Sequence, residues 1–334
     1  MTESMKLTTD VKKQHTVPRF LLNNFGFDRG GKAKQIYTFN KQSERSYPQS
    51  VYDATTRNTF YNIENHPDKY SLEPILCEIE AEASSVIRKI VEEESLGSLT
   101  KDEKTQIAVF VVIQKSRTYH GFQSIKELIN GMGDHLLNRG AKPEDLPKLI
   151  GSQDDSDLKN FFLETVLKHV EHASQILNKS WILYRTNSSD PYYISDNPVT
   201  LHNDVDMGFY GNLGLAVQGI QIHLPISSTL TLAFVCPSHE QKAIQAREQL
   251  QFIVDNDIRQ LVHIKNPKMI VDYANAYKKG LPLETTSENT KFLNSLQVTF
   301  AEQYVYCEKN RFGLVTQMLQ SDETYRTGLR PTMN

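Results

Sequence analysis

Five polar side chains stand where chemistry could be done: His15, Glu80, Gln114, Arg117 and Asp196. His15 lies beside the Lys12–Lys13 pair and just before a helix start predicted at Pro18. A helix N-terminus favours anions, so a histidine there could act as general acid or base on a phosphate or carbonyl substrate. The competing reading is a histidine that caps or packs locally. Glu80 flanks the apolar stripe of a predicted helix beside Leu76, Ala83 and Ile87, and Glu73 lies seven residues earlier on the same flank. A carboxylate at the edge of a buried face needs a partner, either a structural arginine or a substrate.

Gln114 falls on the face of Ile107 and Val111 in the most apolar helical stretch, and Arg117 follows at i+3, so the two can point to one place. The guanidinium fork suits phosphate or carboxylate. It equally suits a buried ion pair joining this helix to the Glu80 helix. Ser195-Asp196-Asn197-Pro198 follows the strand-like YYIS. An Asx turn explains such a tetrad, since Asp and Asn bond nearby backbone and proline bars helical geometry before it. A strand-end carboxylate is also a place for a catalytic base or a metal ligand. Other patterns carry less weight. His169 and His172 have i,i+3 spacing without an HExxH motif, the glycines at 208, 211, 214 and 219 form no phosphate loop, and no GxSxG elbow occurs.

The elements that must position these groups are legible from periodicity. A short helix is predicted at about 17–24, with strands at 35–40 and 58–63. Helices follow over 71–95, over 100–119 behind the capping box Thr100-Lys-Asp-Glu103, over a polar stretch at 122–140, and over 156–178. Beyond Lys179 come four strands, WILYRT, YYIS, GIQIHLPIS and TLTLAFVC, then helices at about 238–255 and 288–303. YVYCEK and FGLVTQ are expected to close a hairpin. The expected fold class is therefore α+β: a helical block (about 70–178) packed with an antiparallel or mixed sheet built mainly from 180–236 and the N- and C-terminal strands. The expected organisation is a disordered lead-in at 1–11, a single domain at 12–320 with a helical lobe (70–178) and a strand-rich lobe (12–65 plus 180–320), and a tail at 321–334.

Composition narrows the function classes. Apolar residues make up 39% and charged residues 23% of 334, the proportions of a folded globular chain. A net charge of −3 supplies no global basic field for nucleic acid or anionic membrane, so a nucleic-acid substrate would need a local patch. Cys77, Cys236 and Cys307 are far apart and odd in number, which argues against a disulfide framework or structural zinc. The polar first ten residues and the lack of a spanning apolar run place the chain in the cytoplasm.

The combined pattern resembles a bacterial family catalogued as domain of unknown function 4238. The resemblance rests on HTVPRFLLNNF, the Ile79-Glu80 pair, QKSRT, WILYRT running to SDNPV, and HLPIS, and it covers about 13–308. Asn294 and FAEQYVYC match a weaker C-terminal signature. Members often carry an arginine before the Asn-Phe step, where this chain has Asn23-Asn24-Phe25. The resemblance implies a bacterial or phage-associated protein in an anti-phage defence setting, and it supplies no mechanism. Four separated polar motifs of one pattern suggest one convergent site. The expectation is a hydrolase, acting as a nuclease on RNA or on a nucleotide, with His15 as acid or base, Arg117 holding phosphate, Gln114 orienting substrate or water, Asp196 as base, metal ligand or orienter of His15, and Glu80 supporting Arg117 or a divalent metal. The expected partners are nucleic acid, a nucleotide or a phage component, and no membrane. The alternative is a non-catalytic sensor or interaction protein whose polar residues form a structural network.

Overall fold

The computed structural model describes residues 7–31, 33–205 and 213–330. The chain opens with strand β1 (Lys13–His15), the one-turn helix α1 (Arg19–Leu22), and strands β2 (Gln35–Asn40), β3 (Arg45–Ser50) and β4 (Thr56–Asn58). The helical block is α2 (Glu73–Glu93), α3 (Lys101–Ser116), α4 (Tyr119–Asn138), α5 (Leu146–Ile150), α6 (Asp155–Lys168) and α7 (Ala173–Leu177). Strands β5 (Ser180–Arg185), β6 (Ile194–Ser195), β7 (Thr200–Asn203), β8 (Ile220–Pro225) and β9 (Leu230–Val235) follow. The remainder is α8 (Pro237–Asn256), α9 (Pro267–Lys279), β10 (Leu283–Glu284), α10 (Ser287–Phe300), β11 (Tyr304–Cys307) and α11 (Gly313–Ser321).

The fold is α+β. Five strands pair in the order β10-β5-β9-β8-β7, four in the order β3-β2-β11-β6, and β1 pairs with β4 alone. Every residue of β9 is buried, which its unbroken apolar run LTLAFV requires of a central strand. The chain termini meet in the second sheet, where Val305 of β11 lies opposite both Phe39 of β2 and Ser195 of β6. One apolar cluster runs from Val17 and Phe25 through Val86, Ile107 and Val111 to Leu183, Leu232 and Tyr306, so helical and strand-rich regions share a core. No helix among the described residues is long and apolar enough to cross a membrane.

Several elements differ from expectation for identifiable reasons. The run 58–63 is a strand only to Asn58, and Phe60 and Tyr61 instead bury their rings beneath the helical block. The expected hairpin at 304–317 is half strand and half helix. Val315 and Leu319 sit at helical spacing and pack on Phe39 and Val305, so tertiary burial selects α11. β3 carries mostly exposed RSYPQS and has no apolar alternation to announce it. α9 begins at Pro267 and was not expected. Its two buried residues are alanines, Ala274 and Ala276. The helix at 156–178 breaks into α6, a 3-10 turn and α7. At the ends, the backbone of Leu7 accepts from Ser71, Thr8 bridges Tyr70, and Arg330 is held by Glu302 and Glu127. Of the glycines predicted to make a loop, Gly208 and Gly211 lie outside the described residues.

Candidate functional site

The arginine at the end of α3 anchors one polar cluster. Thr100 accepts from the Glu103 amide at 3.2 Å and the Glu103 carboxylate accepts from the Thr100 amide at 2.8 Å, so the capping box forms as its sequence predicts. About four turns of largely apolar helix then bury Gln114 and Arg117 almost completely. Arg117 Nε donates to Gln114 Oε1 at 2.9 Å, and Gln114 Nε2 donates to the Thr16 carbonyl at 2.9 Å. Arg117 Nη1 meets Glu80 Oε1 at 2.7 Å. The Tyr61 ring lies 5.9 Å from the guanidinium, and its hydroxyl donates to the Arg117 carbonyl at 3.1 Å. Arg117 Nη2 is buried with no hydrogen-bond partner among the described residues.

Glu80 carries this cluster to the surface. It lines a cleft of about 510 Å³ between α2, β1 and α1, together with Lys13, His15, Arg19, Tyr52 and Glu73. The helical period brings Glu73, Cys77 and Glu80 onto one face of α2 (i, i+4 and i+7). Burial, and repulsion from Glu80, push the Glu73 carboxyl up to about 7. Burial likewise lifts the Cys77 thiol to about 11, so it stays protonated at neutral pH and is a poor nucleophile.

His15 faces the same cleft. Its Nδ1 lies 3.1 Å from the Ala54 carbonyl, so Nδ1 carries the proton and Nε2 is left as acceptor. Burial lowers its basicity to about 4, helped by the nearby Arg19 charge. Arg19 has no carboxylate partner among the described residues; its guanidinium rests 5.1 Å from the Tyr52 ring centre. Lys13 reaches Asp53 at 2.7 Å on the exposed rim.

Asp196 lies elsewhere. Alternation along an extended chain sends His15 and Thr16 to opposite sides, and Thr16 lines a second, smaller cavity of about 180 Å³ that holds Asp196, Arg57 and Tyr119. The Asp196 carboxylate accepts the backbone amides of Glu302 at 2.8 Å, Gln303 at 2.8 Å and Tyr304 at 3.0 Å. Burial pushes this carboxyl up, against the pull of those three amides and of Lys41. Its neighbours are tied equally firmly. Ser195 Oγ donates to Gln297 Oε1 at 2.8 Å, Gln297 Nε2 to the Pro198 carbonyl at 2.9 Å, and Asn197 Nδ2 to the Phe300 carbonyl at 3.0 Å. Asn294, one turn before Gln297, bonds Tyr193 N and Pro191 O. The tetrad is thus a bend laced to α10 rather than an Asx turn: its local side-chain bond is Ser195 Oγ accepting the Asn197 amide at 3.3 Å, and Asp196 has no contact with His15 that would orient it.

The structure therefore joins Gln114, Arg117 and Glu80, brings His15 to the same cleft, and sets Asp196 apart. Glu73, Arg19, Lys13 and Tyr52 were not foreseen as site residues. The i,i+7 spacing of Glu73 and Glu80 and the Lys12–Lys13 pair beside His15 were the signals that could have found members of that set. Among the described residues, no three His, Cys, Asp or Glu side chains are grouped to hold a metal ion. Residues 13–311 match the model of a family described as Protein of unknown function (DUF4238). No curated protein and no solved structure matches the chain.

Proposed function

We propose that this chain, which belongs to the DUF4238 family, is a hydrolase that cleaves a phosphodiester of single-stranded RNA or of a nucleotide in the cleft between β1 and α2. One observation carries the reading. His15 and Glu73 line one cleft, and their surroundings drive the histidine down to about 4 and the carboxyl up to about 7. Two titratable groups pushed past one another in this way supply a neutral base and a protonated acid together in the window between those values.

The step balances as follows. Water attacks phosphorus as His15 Nε2 takes its proton; the new P–O bond forms and the bond to the leaving oxygen breaks. Glu73 gives its proton to that oxygen. The protons return through solvent. Arg19 and Lys13 stand at the rim to offset phosphate charge, and the exposed Tyr52 offers a face on which a base can stack. Arg117 acts through Glu80: its ion pair fixes that carboxylate, whose charge keeps the Glu73 proton in place. The defence role implied by the resemblance belongs to this proposal and is tested by plaque formation on a host that expresses the chain.

The test is hydrolysis of a labelled single-stranded RNA and of a set of nucleotides, with and without Mg2+. His15→Ala and Glu73→Gln should each lower kcat by about 10²–10⁴-fold, with the melting temperature of His15→Ala near that of the parent. The parent rate should be bell-shaped in pH, with its acid limb near 4 and its alkaline limb near 7. A parent chain inactive on every substrate, or variants that keep full activity, would sink the proposal. The sensor reading would then stand.

A further inference from the structure

A third pocket lies beside α3. Residues of α3, α4, α6 and α7, the turn between the last two and a strap wall it, enclosing about 480 Å³. Val112, Lys115 and Ser116 come from α3 at helical spacing. His120, Gly121, Ser124 and Ile125 come from the first turns of α4, and Thr165, His169 and His172 from α6 and the turn after it. The residues at 214–217 close the last side with Leu215 and Val217. Gly121 lets the helices meet this tightly, since a Cβ there would lie 2.4 Å from the Ser116 carbonyl oxygen.

The chemistry of these walls is one-sided. Apolar surface is supplied by Val112, Ile125, Leu215 and Val217, and no carboxylate is among the lining residues. The acid beside His120, Glu302, is already committed: it pairs with Arg330 and lies 3.0 Å from His120 Nδ1. Burial opposes that charge, yet the His120 and Arg330 contacts hold the Glu302 carboxyl down at about 2. His169 Nδ1 donates to the Thr165 carbonyl at 2.7 Å, which leaves its Nε2 free.

Lys115 is the exception among the cations. Its amine makes no hydrogen bond or ion pair among the described residues, and the side chain is half-buried along the pocket wall. Burial lowers it from its ordinary value, with no opposing partner. A half-buried ammonium with no counter-charge, set in a pocket with no carboxylate among its lining residues, is a cation left open to an anionic ligand. The first-turn amides of α4 favour negative charge at the same end of the pocket.

We propose that this pocket is a binding site for a small organic anion with an apolar body, with Lys115 as its cationic contact. The anion pairs with the Lys115 amine, and the apolar body packs on Val112, Ile125 and Leu215. The site is separate from the His15 cleft and stands or falls independently of it.

The test is calorimetric titration of the full chain with benzoate and phenyl phosphate, with benzyl alcohol as the neutral comparison. At least one anion should bind with a Kd below about 1 mM, and Lys115→Met should weaken it by about tenfold or more while leaving benzyl alcohol unchanged. Lys115→Met should melt no lower than the parent, the reverse of what a structural lysine predicts. Leu215→Trp fills the apolar end from a partly exposed strap and should abolish binding without touching any charge. Equal anion affinity in the parent and in Lys115→Met, or no anion bound at all, overturns the proposal.

Discussion

The cleft beside α2 and the turn at Ser195–Pro198 hold the same kinds of residue and treat them in opposite ways. Around the turn, each carboxylate oxygen and amide group has a geometric partner: Asp196 takes three backbone amides, and Asn197, Gln297 and Asn294 fasten the segment to α10. At the cleft, valences are left over. His15 Nε2 is an open acceptor and Glu73 keeps its proton to about 7, while behind the cleft Arg117 Nη2 is buried without a partner among the described residues. A polar residue in a buried setting is therefore no sign of function in itself. Saturated hydrogen bonding marks structure, and unspent donors and acceptors at the edge of a cleft mark the place where a ligand can act.

That contrast can be broken most directly at Asp196. Replacing it with alanine strands three buried amides and should cost about 3–5 kcal/mol in denaturant unfolding. A loss below ~1 kcal/mol would mean that the turn is not the saturated structural unit described. The next effect lies in the cleft cluster. A double-mutant cycle on Glu80→Gln and Arg117→Met should return a coupling of about 1–3 kcal/mol, because a one-percent-exposed guanidinium meets a partly exposed carboxylate. Zero coupling would remove Arg117 from the chain of influence that reaches Glu73.

The smallest effect has a distinctive sign. The folded-state value of Glu73 is raised from 4.5 to about 7, so the native state binds more protons than the unfolded chain between those values. Stability assigned to this residue must then fall as pH rises from about 4.5 to 7. Glu73→Gln should match the parent at pH 4 and exceed it by ~1–2 kcal/mol at pH 8. A variant less stable than the parent at pH 8 would show that the carboxylate is a structural ion, and the contrast between the two regions would lose one of its supports.

Much of this architecture was readable in advance where local forces suffice. The capping box at Thr100 needs only residues three apart, and the stripe Leu76, Ala83, Val86, Ile87, Ile90 needs only the helical period, so both elements form as read. The Gln114–Arg117 pair and its tie to Glu80 follow from the same spacing rules across two neighbouring helices. FGLVTQ, by contrast, has a strand-like composition and forms a helix because Val315 and Leu319 find Phe39 and Val305. Asp196 looked like a member of the site because a carboxylate at a strand end suits both a turn and a catalytic base. Only the three amides of Glu302, Gln303 and Tyr304, more than a hundred residues away, choose between those roles.

The same division runs through the proposed chemistry. Residue types and local periods were enough to establish an α+β chain with a helical block, a histidine before a first short helix, and a glutamate and an arginine able to meet between α2 and α3. They could not assign protonation states, because burial and neighbouring charge are properties of packing: Glu73 and His15 acquire their displaced acidities from surroundings contributed by β1, α1 and α2 together. Nor could they separate His15 from Asp196. A chain that alternates sides places His15 in one cavity and Thr16 in another, and that one-residue step, set by the pairing of β1 with β4, decides which polar groups share a site.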